Sequence, residues 1–403
     1  MKLWAKIAIG LVAGTSTGLI LGENVSFLKP VGDVFLNAIK MLIVPLVFSS
    51  LVVGVTSLKD PRKLGRVGFK AFVAYLFTTV FAISIGLAFG HVLKPGAGMH
   101  LSPSETLAAP TQQSIVETFV NIIPSNPLQA LASGQILQII MFALLFGIAL
   151  VLIGEKAKPV TDFFEAIAEA MYKLTDMVMS LAPYGVFALM AWVGGSYGLA
   201  ILLPLGKVIL SVYLACFVHV LIVYSLMLFV GGRLNPVRFF YGIKEALALS
   251  FSTSSSAATL PVSIREVQEN LGVSKGVASF VLPLGATINM DGTAIYQGVT
   301  ALFVAQAFGV DLSFAQMVTI VLTATLASIG TAGIPGAGLI MLSLILSSVG
   351  LPMEGLALVA GIDRILDMVR TSVNVTGDCM VATLVAKSEG ELDLDVYATK
   401  SVS

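Results

Sequence analysis

The sequence predicts an all-α integral membrane protein, and three observations carry that reading. Hydrophobic residues make up 57% of the 403 and charged residues only 11%, with a mean hydropathy of +0.95. A soluble domain carries roughly 25% charged residues, so this chain lacks the means to cover a water-facing surface. The apolar residues also fall in long runs, near 32–57, 67–93, 133–153, 199–230, 273–304 and 355–386. A hydrocarbon core of about 30 Å takes about 20 helical residues to cross, and each run meets that length. Net charge is zero, which gives no basic surface for nucleic acid.

In chain order, Met1 to Lys6 leads directly into an apolar run, Ile7 to Leu21. No small-residue cleavage site leads into a polar mature segment, so the run is expected to be a retained first span rather than a signal peptide. A less regular span covers 160–196, and the longest polar stretch runs from Lys94 to Glu117 with Pro95, Pro103 and Pro110. The densest basic cluster is Lys59-Asp-Pro-Arg-Lys63 with Arg66 and Lys70. Basic loops stay in the cytoplasm, which predicts a multi-pass cell-membrane protein with a cytoplasmic N-terminus. The sparsely charged loop from Glu23 to Lys29 then lies outside. No large soluble enzyme or receptor domain is expected. Cys216 and Cys379 sit in apolar runs without disulfide or metal spacing. His91, His100 and His219 are scattered, which disfavours zinc or haem.

The C-terminal half departs from plain spanning helices. Charged pairs Lys244-Glu245 and Arg265-Glu266 bracket a hydroxyl-rich tip, Ser250-Phe-Ser-Thr-Ser-Ser-Ser256. Each arm is about ten residues, or about 15 Å of helix, too short to cross alone. A re-entrant hairpin satisfies that length, provided protein or a cavity satisfies the backbone at its tip; a single polar-centred crossing helix is the alternative. A second unit runs from Asp311 to Glu354 with no charge between and Gly330-Thr-Ala-Gly-Ile-Pro-Gly-Ala-Gly338 at its middle. Four glycines and a proline interrupt a helix. Length permits two full spans here, and the pairing with the first unit favours a second hairpin.

A long helical run follows each unit, with polar residues at mid-membrane depth. The first carries Gly285-Ala-Thr-Ile-Asn-Met-Asp-Gly-Thr293. Asp291 is costly in an apolar run and calls for a function or a cation, while Pro283 and Gly292 suggest a break that frees backbone carbonyls. The second run, 361–386, places Asp363, Asp367, Arg370, Thr371, Asn374 and Asp378 in a stripe roughly 100° wide at helical spacing. One internal ion pair would be ordinary packing. Three carboxylates, a guanidinium, an amide and a hydroxyl on one face read as a transport or ion site. Paired interrupted segments place such a site at a repeat interface near the midplane.

Four segments closely resemble the glutamate/aspartate sodium symporter family, the dicarboxylate/amino acid:cation symporters, in its prokaryotic form. They are Thr253-Ser-Ser-Ser-Ala-Ala-Thr-Leu-Pro261, Asn289-Met-Asp-Gly-Thr293, Ser328-Ile-Gly-Thr-Ala-Gly-Ile-Pro-Gly336 and Asp363 to Asp378. The resemblance covers essentially the whole chain and is strongest over 240–386. It implies eight transmembrane helices plus two re-entrant helical hairpins, inverted repeats, a homotrimer in the lipid bilayer and elevator-type movement. Scaffold helices 1 and 2 would occupy 1–65, transport-domain helix 3 residues 66–94, and scaffold and trimerisation helices 4 and 5 residues 95–196. The transport domain would continue over 197–387, with hairpins at about 236–270 and about 311–352, before a cytoplasmic tail at 388–403.

The resemblance also implies roles. Arg370 matches the arginine that holds a side-chain carboxylate, for which a planar guanidinium fork is suited. Asp367 matches the acceptor of a substrate ammonium, and having both points to an acidic amino acid. Thr371, Asn374 and Thr293 match further substrate contacts. Ser255 and Ser256 at the first tip, with backbone at Ile334 and Gly338 at the second, match the clamp on the α-carboxylate. One sodium (Na+) site resembles Asp378 with Gly285, Asn289 and Asn374. Another resembles Thr287 with Ser328, Ile329 and Thr331. A third resembles Tyr75, Thr78, Thr79, Asn289 and Asp291. All three are oxygen-rich, as a hard cation requires. Family members carry a further arginine in the first hairpin or one residue after the ammonium-binding aspartate; here those positions are Ser254 and Met368. Arg364, three residues before Asp367, is placed to reach that area, to pair with Asp363 or to face the scaffold.

The expected function is sodium-coupled symport, not enzymatic. An intramembrane aspartyl protease needs two facing carboxylates, whereas these share one helix. A passive channel fits the stripe less well than an occluding carrier, because of the arginine fork and the Gly-Pro segment. Proton coupling, or a C4-dicarboxylate substrate, is the nearest alternative; the three histidines lie outside the motifs and offer it no carrier.

Overall fold

The computed structural model describes residues 3–56, 64–99, 101, 120–198, 202–329 and 337–398. Among these, all regular structure is helical apart from one isolated bridge, Val273 to Leu392. The chain opens with α1 (Leu3–Leu21), α2 (Lys29–Thr56) and α3 (Leu64–Leu93). A short α4 (Pro127–Ser133) precedes α5 (Ile136–Ile153), α6 (Lys158–Ser180) and α7 (Ala182–Tyr197). The irregular expected span over 160–196 is thus two helices that part at Leu181, where a proline opens the second. α8 (Leu202–Val218) widens into two π-helical segments, His219–Tyr224 and Met227–Gly231. Among the described residues, three helical stretches are long and apolar enough, by length and composition, to cross a membrane: Arg66–Leu93, Gln138–Met171 and Leu202–Gly231. The basic loop over 57–63 and most of the polar stretch after Lys94 lie outside the described residues.

Several of the remaining helices are short and come in pairs. After α9 (Pro236–Gly242), α10 (Lys244–Thr253) and α11 (Ser256–Glu269) form a helical hairpin. Its turn is Ser254 in the left-handed conformation (φ 52°) followed by Ser255, whose hydroxyl caps the second arm by accepting from Ala258 N–H. Its base is closed by the Glu266 carboxylate, which accepts from the N–H groups of Glu245 (3.2 Å) and Ala246 (2.8 Å). Those donors are otherwise orphans of the helix start. α12 (Lys275–Ile288) and α13 (Asp291–Ala307) are one run interrupted at Asn289–Met290. α14 (Phe314–Ala327) and α15 (Ala337–Ser348) make the second pair, opened by a Ser313–Gln316 capping box. The Gln316 amide then donates to Val349 O at the base of that pair. Its tip, with the predicted Thr331 and Ile334, lies outside the described residues. α16 (Glu354–Ala360) leads into α17 (Asp363–Glu389), and α18 (Leu394–Ala398) closes the described chain.

Packing sorts the helices into two groups. α1 and α2 pack with α5, α6 and α7, while α3 and α8 pack with α10 to α17; α14, α15 and α16 touch both groups. Small residues set the closest contacts. A Cβ on Gly14 of α1 would stand 3.0 Å from Phe187 Cα of α7, and one on Gly298 of α13 would stand 2.8 Å from Leu87 N of α3. Backbones this near need glycine, which is how membrane helices gain van der Waals contact.

At its C-terminal end α17 is tied to α3. Glu389 accepts from Lys70 Nζ (2.5 Å) and pairs with the Arg66 guanidinium. These hydrogen bonds, Lys70 first and then Arg66, hold its carboxyl below the usual carboxylate range. A depressed folded value adds stability above the unfolded carboxylate value of about 4.3 and loses it as pH falls through the folded one. Glu389→Gln should therefore melt below wild type at pH 7, and the two melting curves should converge at strongly acidic pH. An equal gap at both pH values would remove Glu389 ionisation as the cause.

Candidate functional site

The first half of α17 holds the site. Asp363, Asp367, Arg370, Thr371, Asn374 and Asp378 are each at most 7% exposed, and Arg370 has no exposed surface at all. The helical register expected from their spacing is therefore what turns them inward together. Arg370 Nη1 donates to Asp363 Oδ1 at 2.7 Å. Nη2 lies 2.8 Å from Asp367 Oδ1, an ion pair by distance, yet among the described residues neither Nη2 nor Nε completes a hydrogen bond. The guanidinium carbon stacks 4.2 Å from the Tyr296 ring centre. Gly338 of α15 lies against the same group, where a Cβ would stand 2.7 Å from Cζ. The guanidinium is thus fixed by an aromatic ring, glycine backbone and two carboxylates, and among the described residues its Nε–Nη2 edge keeps donor capacity beyond the Asp367 ion pair. That edge can take a carboxylate in a bidentate manner.

Both helical pairs reach this half of α17. α10 meets it through Ser250 and Ser372, whose hydroxyls lie 3.4 Å apart. Ser256 is buried beside that turn and Ser255 half-buried, while Thr293 and Thr371 are buried on α13 and α17. Arg364, for which the sequence leaves three orientations, reaches back to α10: its Nη2 donates to Ser252 O (3.3 Å) and Thr253 O (3.4 Å).

One turn further along α17 the chemistry changes from nitrogen donors to oxygen acceptors. The expected helix break is present, and Asn289 occupies it with extended backbone. Asn289 Nδ2 donates to Asp378 Oδ1 (2.9 Å) and to Asn374 O (3.1 Å). Asn374 Oδ1 accepts from Gly292 N–H at 2.8 Å. Asn289 Oδ1 is buried with no hydrogen-bond partner. Glycine permits this crowding: a Cβ on Gly285 would stand 2.6 Å from Tyr75 Oη and collide with the Asp378 carboxylate. Beside it, Thr79 Oγ1 donates to Asp291 Oδ1 (2.7 Å), and the Thr78 and Thr79 hydroxyls both reach Tyr75 O. Tyr75, Thr78, Thr79, Asn289 and Asp291 are all fully buried. Among the described residues neither Asp378 nor Asp291 is paired with Lys or Arg. Two buried carboxylates amid hydroxyl, amide and carbonyl oxygens suit a hard monovalent cation. The remaining predicted set is only partly described. The exposed Thr287 donates its hydroxyl to Leu284 O, and Ser328 and Ile329 are buried at the end of α14.

Sequence reasoning missed three members, Tyr224, His219 and Tyr296. Tyr224 Oη donates to Asp291 Oδ2 at 2.7 Å, and His219 Nε2 lies 3.4 Å from the same oxygen. The expectation that every histidine lies away from the motifs is therefore corrected for His219, which is fully buried at Asp291. Its signal was present, since an ionisable side chain within an apolar span is itself a mark of function. Tyr224 and Tyr296 had no such signal, because an aromatic residue in a membrane helix is ordinary. Asp363 was placed on the stripe but not assigned to Arg370.

A cation bound at 100 times its Kd stabilises a fold by about 2.7 kcal/mol. Sodium should raise the melting temperature of the wild-type protein, and Gly285→Ala should lose most of that rise. The same sodium shift in the variant would exclude Gly285 and Asp378 from the cation site.

Residues 3–388 match the profile of the sodium:dicarboxylate symporter family. A proton/sodium-glutamate symport protein of Geobacillus stearothermophilus is 40% identical, covering 96% of this chain and 94% of the relative. A C4-dicarboxylate transport protein of Bacillus subtilis is 39% identical, over 98% and 96%. A proton/glutamate-aspartate symporter of Escherichia coli is 39% identical, over 92% and 87%.

Proposed function

Because the chain belongs to the sodium:dicarboxylate symporter family, we propose that it is a membrane carrier coupling sodium entry to uptake of L-aspartate or L-glutamate. The observation that carries this reading is the buried Arg370 edge set beside Asp367. The guanidinium edge takes the side-chain carboxylate, and Asp367 takes the ammonium. A dicarboxylate without an amino group brings Asp367 no ammonium and leaves it only its ion pair with Arg370. The α-carboxylate meets the first hairpin at Ser255 and Ser256 and the second at the backbone of Ile334 and Gly338, with Thr293, Thr371 and Asn374 as further contacts.

Sodium is the co-substrate. It balances the charge of Asp378 and Asp291, and its oxygen ligands fix the break at Asn289–Met290. Asn374 serves both ends, because its amide oxygen anchors Gly292 N–H while its carbonyl accepts from Asn289. Ion and substrate therefore raise each other's affinity, as linkage demands. The hairpins are re-entrant in this reading, within eight transmembrane helices and inverted repeats. α3 and α8 to α17 form the moving transport unit. α1, α2 and α5 to α7 form the fixed scaffold of a homotrimer, with the N-terminus cytoplasmic.

A specific observation supports a second reading, proton coupling: His219 lies against Asp291, and relatives carry proton in their names. Uptake of labelled aspartate, glutamate and succinate into proteoliposomes separates these readings. Under an inward sodium gradient aspartate or glutamate should accumulate. Accumulation under a proton gradient without sodium overturns the sodium reading, and preference for succinate overturns the amino acid.

Arg370→Cys should lower acidic-substrate uptake by at least 100-fold, about 2.7 kcal/mol, within the range of roughly 2–5 kcal/mol for truncating one partner of a buried hydrogen-bonded charge pair. Unchanged aspartate transport in that variant would exclude Arg370 from substrate binding. Asp378→Asn should shift the sodium activation curve to higher concentration, and an unaltered curve counts against that cation site.

A further inference from the structure

Arg364 stands in the first turn of α17, one residue after its start. A cation there faces the positive end of its own helix dipole, an unfavourable placement. Its guanidinium instead reaches the opposite kind of helix end. Nη2 donates to Ser252 O and Thr253 O, the last two carbonyls of α10. Those carbonyls have no intrahelical partner, because the next residue, Ser254, leaves the helix in the left-handed conformation. The same turn holds Ser254, 2% exposed, whose hydroxyl has no hydrogen-bond partner. Ser255, which caps the return arm, comes immediately after.

We infer that Arg364 is a positioning residue that clasps the turn of the first hairpin to α17 and so fixes the Ser255–Ser256 backbone opposite Arg370. Resting on the transport reading above, this gives Arg364 a role in substrate affinity without contact to the substrate. Its side chain bridges the helix that holds the substrate's distal carboxylate and the turn that holds its α-carboxylate. At the turn itself, the distance between those two anchors is then set by this guanidinium, while Ser250 and Ser372 join the arm further down. A lysine there retains the charge and reaches one carbonyl, whereas a methionine retains only the bulk.

The test has one readout independent of transport. Ser254→Cys places a thiol at the buried turn; the native cysteines, Cys216 and Cys379, are both buried. With Arg364 intact, maleimide labelling of Ser254→Cys in purified protein should be slow. Adding Arg364→Met should speed labelling about tenfold or more, and Arg364→Lys should restore an intermediate rate. In proteoliposomes, Arg364→Met alone should raise KM for the acidic substrate about tenfold with maximal rate within about twofold. Equal labelling rates for arginine, lysine and methionine overturn the clasp. So does a loss of maximal rate with KM unchanged. If the wild-type protein takes up no acidic substrate, the transport reading fails, and the labelling rates still decide whether Arg364 holds the turn.

Discussion

A guanidinium with no exposed surface governs the arrangement around it. An unpaired charge in such a place costs several kcal/mol, so Arg370 requires anions within reach. They come from its own helix: Asp367 three residues back and Asp363 seven residues back share its face. The neighbouring elements are shaped to this cluster. Tyr296 supplies an aromatic face, and glycines stand wherever another backbone must come close, Gly292 against Arg370 main chain and Gly338 against the guanidinium.

The same helix carries a second kind of site one to two turns on. There the lining is oxygen: the Asp378 and Asp291 carboxylates, hydroxyl groups from α3, and Asn289 Oδ1, which has no hydrogen-bond partner among the described residues. The interruption between α12 and α13 lets the Asn289 side-chain amide and the Gly292 N–H both meet α17. A continuous helix would have consumed the backbone groups at the break internally. Because Asn374 joins α17 to Gly292 just past the break, a change at the oxygen cage is transmitted to the Arg370 end through one rigid helix and one short turn. No longer pathway is needed to couple an ion to a substrate.

Much of this was legible from residue order. The polar stripe of α17 could be read because helical spacing alone puts those six residues on one face. The break could be read from Asn289, Asp291 and the glycine after them. The hairpin bases could be read from charges flanking uncharged arms. What could not be read depends on tertiary approach. Nothing in the sequence brings Tyr224 or His219 to Asp291, since both reach it only through π-helical turns that shift the face of α8. The direction of Arg364 was open for the same reason: three partners lay within a side chain's reach, and only the placement of α10 selects one. The tip of the second hairpin, with Thr331 and Ile334, falls outside the described residues and is a proposal only.

The two hairpins are held to α17 by different forces, and this bears on which of them moves. The first is bound by directional contacts, from Arg364 to two main-chain carbonyls and between the Ser250 and Ser372 hydroxyls. Hydrogen bonds weaken steeply when their geometry is lost, so the first hairpin has one preferred seat. The second approaches through the Gly338 backbone laid on the guanidinium and through apolar packing of α15 against α13. Such packing is non-directional and changes gradually as surfaces slide. Under the proposed carrier reading, an element whose described contacts are packing is the less costly one to lift. The contacts of Asn289, Asn374, Asp291 and Asp378 come from α3, α8, α12, α13 and α17. On that reading, lifting the second hairpin exposes the Nε–Nη2 edge of Arg370 to an arriving carboxylate while the oxygen cage stays assembled.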